Sequence, residues 1–106
     1  MAMTILLVSD FGNNIFTRSS ISGFFDKLNS LKSNDIKLDF KGVEFISRSC
    51  ADEYLKKKRT SLKKIVEVNM SEDVCEMFRN VEIQYKNAGI EFSFSVCSSK
   101  DGIVYA

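Results

Sequence analysis

The stretch from residue 38 to residue 55 reads Leu38-Asp39-Phe40-Lys41-Gly42-Val43-Glu44-Phe45-Ile46-Ser47-Arg48-Ser49-Cys50-Ala51-Asp52-Glu53-Tyr54-Leu55. An alternation of apolar and polar residues from Ile36 to Phe40 runs into this stretch, the period-two pattern of a half-buried strand. Lys41-Gly42 interrupts that pattern, and Val43 to Ile46 resumes an apolar run. From about Ser49 the spacing becomes helical, with Ala51, Tyr54, Leu55 and Leu62 expected on one face. A strand that runs through a loop into a helix is the building unit of an α/β sheet.

The same alternation extends to both sides. Upstream, Ile5 to Val8 fits a short buried strand, and residues 10–14 have turn chemistry. Thr17 then stands where it can cap a helix carrying Ile21, Phe24, Phe25, Leu28 and Leu31 on one stripe. Downstream, Ile65 to Val68 is β-branched and short. Ser71 precedes Glu72 and Asp73, acids placed where the helix dipole favours them. Behind them Val74, Met77, Phe78, Val81 and Tyr85 form another stripe, closed by Gly89. Residues 91–96 alternate again as a strand, and residues 103–105 are expected to pair back as a hairpin. The order β-α-β-α-β-α-β predicts one α/β domain over residues 1–106, with a mostly parallel or mixed sheet and about three helices.

Composition narrows the function. The chain has 106 residues, 44% of them hydrophobic and 27% charged, with a formal net charge of +1. That is enough apolar mass for a core and too little charge imbalance to announce a nucleic-acid binder. No run approaches a transmembrane span and no signal peptide is seen, so a cytoplasmic location without membrane association is expected. The three cysteines, Cys50, Cys75 and Cys97, form no CxxC pair and are expected to be reduced, with Cys75 and Cys97 in the core. The chain has no histidine, which removes the commonest general base and metal ligand and excludes Ser-His-Asp and Cys-His systems. Asp39, Asp52 and Glu53 show no spacing that demands shared chemistry, and no phosphate-cradling glycine motif is present. An enzyme is therefore not expected, and neither is a metal or cofactor.

The candidate site is the entry to the helix after Ile46. Ser47, Arg48 and Ser49 occupy a helix start, which gathers unpaired N–H groups and suits a phosphoserine, an anion or a partner's carboxylate. The plainer alternative makes Ser47 or Ser49 an N-cap, with Asp52 or Glu53 completing a capping box; Ser49-x-x-Asp52 nearly has that spacing. Arg48 either binds an anion or partner acid or points into water. Arg18 either reaches the same loop or covers its own helix. The basic run Lys56, Lys57, Lys58, Arg59, Lys63 and Lys64 admits weak nucleic-acid binding, but a solvated helix end accounts for it better.

The string Asp39-Phe40-Lys41-Gly42-Val43-Glu44-Phe45-Ile46-Ser47-Arg48-Ser49-Cys50-Ala51-Asp52-Glu53 resembles the bacterial STAS-like domain of unknown function, a group related to the STAS domains of anti-sigma factor antagonists. The matching positions are Asp39, Phe40, Gly42, Val43, Phe45, Ile46, Ser47, Ser49, Ala51, Asp52 and Glu53, with Thr17-Arg18 at the start of the first long helix. The resemblance implies a STAS-like α/β fold and a regulatory, non-catalytic role. It also implies partner switching with a histidine-kinase-like ATPase or anti-sigma-type factor, bound through Ser47, Arg48, Ser49, Asp52, Glu53 and Arg18. Against the antagonists' Asp-Ser-Ser-Gly, Ser47 falls on the Asp, Arg48 on the phosphorylated serine, Ser49 on the second serine and Cys50 on the glycine. Ser49 and Ser47 are thus the candidate phosphoacceptors. A second reading, of another class, is small-ligand or nucleotide sensing in the crevice at the carboxyl ends of the strands.

Overall fold

The computed structural model describes residues 2–15, 17–90, 92 and 96. Three parallel strands form its main sheet: β1 (Ala2–Leu6), β3 (Asp35–Asp39) and β5 (Lys64–Val68), in the order β1-β3-β5. Ala2 pairs with Asp35 and Leu6 with Asp39; Asp35 pairs in turn with Lys64 and Asp39 with Val68. A second sheet of two short parallel strands joins β2 (Asn14–Ile15) to β4 (Phe45–Ile46). The helices are α1 (Leu7–Phe11), α2 (Arg18–Asn29), α3 (Arg48–Thr60) and α4 (Glu72–Asn87). The expected α/β class holds, with α1 added to the three helices read from periodicity.

The three long helices use one burial pattern. Ile21, Phe24, Phe25 and Leu28 of α2 are buried, as are Cys50, Ala51, Tyr54 and Leu55 of α3 and Val74, Cys75, Phe78 and Val81 of α4. Each set lies on one side of a 3.6-residue repeat, so each helix has one face to bury. On β3 the alternation is equally clear: Ile36 and Leu38 are buried while Asp35 and Lys37 are exposed. The sheet grows in one direction, from β1 to β3 through α2 and from β3 to β5 through α3. Right-handed crossovers in a constant direction place successive helices on the same face. One face therefore carries the helical layer and the other carries the exposed Asp35, Lys37, Lys64 and Val66.

Tyr54 is the meeting point of the layer. Its ring lies 5.2 Å from Phe25 of α2, 5.1 Å from Phe78 of α4 and 6.2 Å from Phe40 just past β3, each pair edge-to-face. That arrangement suits the aromatic quadrupole and adds about 0.5–1.5 kcal/mol per pair beyond burial.

Several expectations are corrected. The first strand ends at Leu6, and the chain turns at once into the single helical turn of α1. This tucks Leu7 into the core at 2% exposure and brings Phe11 within 5.2 Å of Phe24. Gly12, at φ 76°, ends the turn with its N–H donated to the Val8 carbonyl at 2.9 Å. The helix α3 stops at Thr60, so Leu62 leaves the expected apolar face and stands 98% exposed on the following loop. Cys75 is held in a disulfide rather than reduced, while Cys50 is a buried free thiol. Sequence spacing says nothing of which sulfurs meet in space, which is why the count misled. The strand expected over residues 91–96, apart from Phe92 and Val96, and the hairpin over 103–105 lie outside the described residues. Among the described residues no helix is long and apolar enough to cross a membrane.

Candidate functional site

The entry to α3 is fixed from two directions. Behind it, Gly42 at φ 89° and the Val43 N–H to Phe40 carbonyl bond (2.9 Å) turn the chain out of β3. The following segment is tied to residue 13, whose carbonyl accepts from Glu44 N–H at 2.8 Å and Phe45 N–H at 3.3 Å. Ser47 then caps the helix: its Oγ accepts from the Cys50 N–H at 3.2 Å. The two candidate serines meet, with Ser47 Oγ 3.3 Å from Ser49 Oγ. Between them Arg48 is exposed.

The choice left open between Ser47 and Ser49 is therefore resolved for the cap, and the capping box does not form. Asp52 and Glu53 lie one helical turn beyond Arg48 and Ser49, and they turn sideways instead. Arg18, the first residue of α2, donates through Nη1 to Asp52 Oδ2 at 3.1 Å and to Glu53 Oε1 at 2.9 Å. Of the two alternatives for Arg18, the structure takes the one that ties it to the start of α3. Arg18, Asp52 and Glu53 thus come together as one cluster, and Ser47, Arg48 and Ser49 sit on the adjacent turn.

Two members of the cluster were not read as site residues. Lys56 Nζ lies 3.2 Å from Asp52 Oδ2, an i,i+4 pair that its place in a basic run concealed. Tyr85 of α4, expected on an apolar stripe, donates its hydroxyl to the other Asp52 oxygen, Oδ1. Burial pushes the Asp52 carboxyl upward, but hydrogen bonds from Tyr85, Arg18 and Lys56 together outweigh it and hold it below the ordinary value. Burial and the Asp52 carboxylate push Tyr85 up to about 12. Glu53 first and Asp52 second hold the Arg18 guanidinium firmly protonated.

A second polar cluster lies on the opposite flank of α3. The Tyr54 hydroxyl donates to Glu67 Oε2 at 2.5 Å, and Lys58 Nζ lies 3.0 and 2.8 Å from the two Glu67 oxygens. The Lys58 and Glu67 side chains are only 10% and 5% exposed. Burial, and after it the Glu67 charge, holds the Tyr54 phenol well above its ordinary value. Elsewhere in the basic run, Arg59 stacks over the Phe92 ring at 5.9 Å and Lys63 donates to the Leu31 and Ser33 carbonyls. Of the run, Lys58 and Lys63 are engaged within the fold, while Lys56, Arg59 and Lys64 are exposed. A third set joins β3 to β5: Asp39 Oδ1 accepts from Asn69 Nδ2 at 3.0 Å and from the Lys41 N–H at 2.9 Å, which lowers its pKa. Among the described residues no group of three or more acidic or cysteine side chains is placed to hold a metal ion.

Fold and site together define a class: an α/β domain with a parallel three-stranded sheet, helices on one face, and a polar cluster at the start of its third helix. No family model, no curated protein and no solved structure matches the chain.

Proposed function

We propose that this chain is a non-catalytic regulatory module of STAS-like type that binds a protein partner through the start of α3. The observation that carries the reading is the exposed Arg48 between two serines, on a turn whose base is held by Arg18, Asp52 and Glu53. Ser47, already engaged as the cap, leaves an exposed cation at a rigid helix start, which suits a partner's carboxylate or phosphate. The partner proposed is a histidine-kinase-like ATPase or an anti-sigma-type factor in the cytoplasm. Ser49 is the proposed phosphoacceptor, because the Ser47 hydroxyl already serves the Cys50 N–H. A phosphate there adds about −1.5 to −2 charge beside Arg48 and changes what the surface can bind.

The test is co-purification from native extract with wild type and Arg48→Glu, the captured proteins identified by mass spectrometry. A kinase-like ATPase or anti-sigma-type factor recovered with wild type and lost with the variant is expected. Equal recovery by both proteins sinks the interface. A small-ligand reading comes second. It rests on a shallow hollow of 590 Å³ lined by Asp52, Gln84, Tyr85, Asn87, Ala88 and Ile90. A metabolite that raised the melting temperature of wild type but not of Asp52→Asn would favour it.

A further inference from the structure

We infer that Cys75 is a redox-active cysteine, whose disulfide opens and closes reversibly with a thiol reductant while Arg79 holds the thiolate that opening releases. Cys75 lies on α4, is 2% exposed and is disulfide-bonded. Cys50 is free, so the partner sulfur lies outside the described residues. Two residues beyond the end of α4 lie back along it. The Phe92 ring is 5.1 Å from Tyr85, and the Val96 N–H donates to Glu82 Oε2 at 3.1 Å.

Arg79 is the group placed to use that sulfur. It is partly buried, and its Nε has no hydrogen-bond partner. A buried donor left unmet costs free energy, so native structures hold few, and a redox role is one reason to keep one. The acids within one turn do not serve it. Glu76, three residues before, is exposed, and Glu82, three residues after, is engaged with Val96; neither forms an ion pair with Arg79. Cys75 stands four residues before Arg79, on the same face of the helix. Long helical side chains lean toward the helix N-terminus, which sets the guanidinium over the turn that holds the sulfur. In the disulfide that sulfur is neutral and a poor acceptor. As a thiolate it is the charged acceptor that the Arg79 N–H lacks. The unmet donor thus belongs to the oxidised state and is met in the reduced one.

Glutathione serves as the thiol. One glutathione thiolate attacks the partner sulfur, the S–S bond breaks, and Cys75 leaves as the thiolate beside Arg79. A second glutathione thiolate attacks the mixed disulfide, releases the partner sulfur and forms oxidised glutathione. Two electrons pass from glutathione to the protein. Of the two glutathione protons, one goes to the partner thiol and one to solvent. A stabilised leaving thiolate speeds the first attack and shifts the equilibrium toward the reduced protein.

The full chain is equilibrated in glutathione buffers of increasing reducing power, quenched with acid, precipitated, alkylated with N-ethylmaleimide in denaturant and weighed intact. Of its three cysteines, the oxidised protein takes one label and the reduced protein three. Arg79→Met keeps an unbranched stem and removes the charge. It should need an about tenfold higher ratio of reduced to oxidised glutathione, as [GSH]²/[GSSG], to reach its midpoint than wild type. Arg79→Lys, which keeps a cation, should lie between them. A purely structural Arg79 would act on both forms alike and leave the midpoint in place. A wild-type midpoint in Arg79→Met therefore overturns the inference. So does a wild type that takes three labels at every ratio, or one label at every ratio.

Discussion

The two polar clusters on α3 use the same chemistry in different surroundings. Toward β5, Tyr54, Lys58 and Glu67 form a phenol–carboxylate–ammonium set with both charges at most 10% exposed. Toward α2 and α4, Tyr85, Arg18, Lys56 and Asp52 repeat the phenol–carboxylate–cation set, but the cations are 46% and 54% exposed. Water decides what each is worth. In the buried set every lost partner leaves a desolvated charge behind. In the exposed set solvent replaces what is removed. The first set is thus a structural pin between α3 and β5. The second can rearrange at little cost, which suits a binding surface.

The largest expected effect comes from the pin. Glu67→Ala strands the Lys58 ammonium and the Tyr54 hydroxyl, and should lower unfolding stability in urea by about 3–5 kcal/mol. Replacing the whole set, with Tyr54→Phe, Lys58→Met and Glu67→Met together, should restore most of that loss. If the single change costs no more than Asp52→Ala, the contrast between the clusters fails.

Alkaline pH gives an intermediate effect. Tyr54 and Tyr85 both have raised folded-state values, Tyr85 to about 12 against an ordinary 10.0. A raised value means that folding favours the protonated phenol. The stability it contributes is complete below pH 10 and is lost as pH climbs through the folded value. Urea midpoints followed between pH 9 and 12 should fall, and Tyr54→Phe should flatten that fall more than Tyr85→Phe does.

The smallest effects belong to the exposed set. Tyr85→Phe keeps the ring against Phe92, 5.1 Å away, and loses only the hydroxyl bond to Asp52. It should cost less than about 1 kcal/mol near neutral pH. Arg18→Ala should shift the melting temperature slightly at low salt and not at all in concentrated salt, since an exposed ion pair is screened. A large, salt-independent loss from either would put both clusters in one class.

Much of this arrangement was legible in the residues themselves. Ile36, Leu38 and Phe40 alternate cleanly, and the stripes of α2 and α4 fall at helical spacing, because burying one face imposes a period on the sequence. The turn of α1 has only five residues and so no period to read. Ser47 and Ser49 both have cap chemistry and stand two residues apart; only backbone geometry separates them. Arg18 was legible as a candidate for this loop but not in its partners, which lie 34 and 35 positions away. Glu67 looked like any strand charge, and Lys58 like part of a basic run. Their pairing depends on how α3 lies across β5, and no local pattern records that.

The one-directional growth of the sheet has a consequence for how the chain assembles. Ala2 pairs with Asp35, and Asp35 with Lys64, so each new strand meets a partner about thirty residues earlier and needs nothing later in the chain. Closing loops of that length costs little more than closing shorter ones. During synthesis each helix and strand can dock on the strand already in place. The molecule can form in the order in which it is made, with β1 as the template on which the rest is laid.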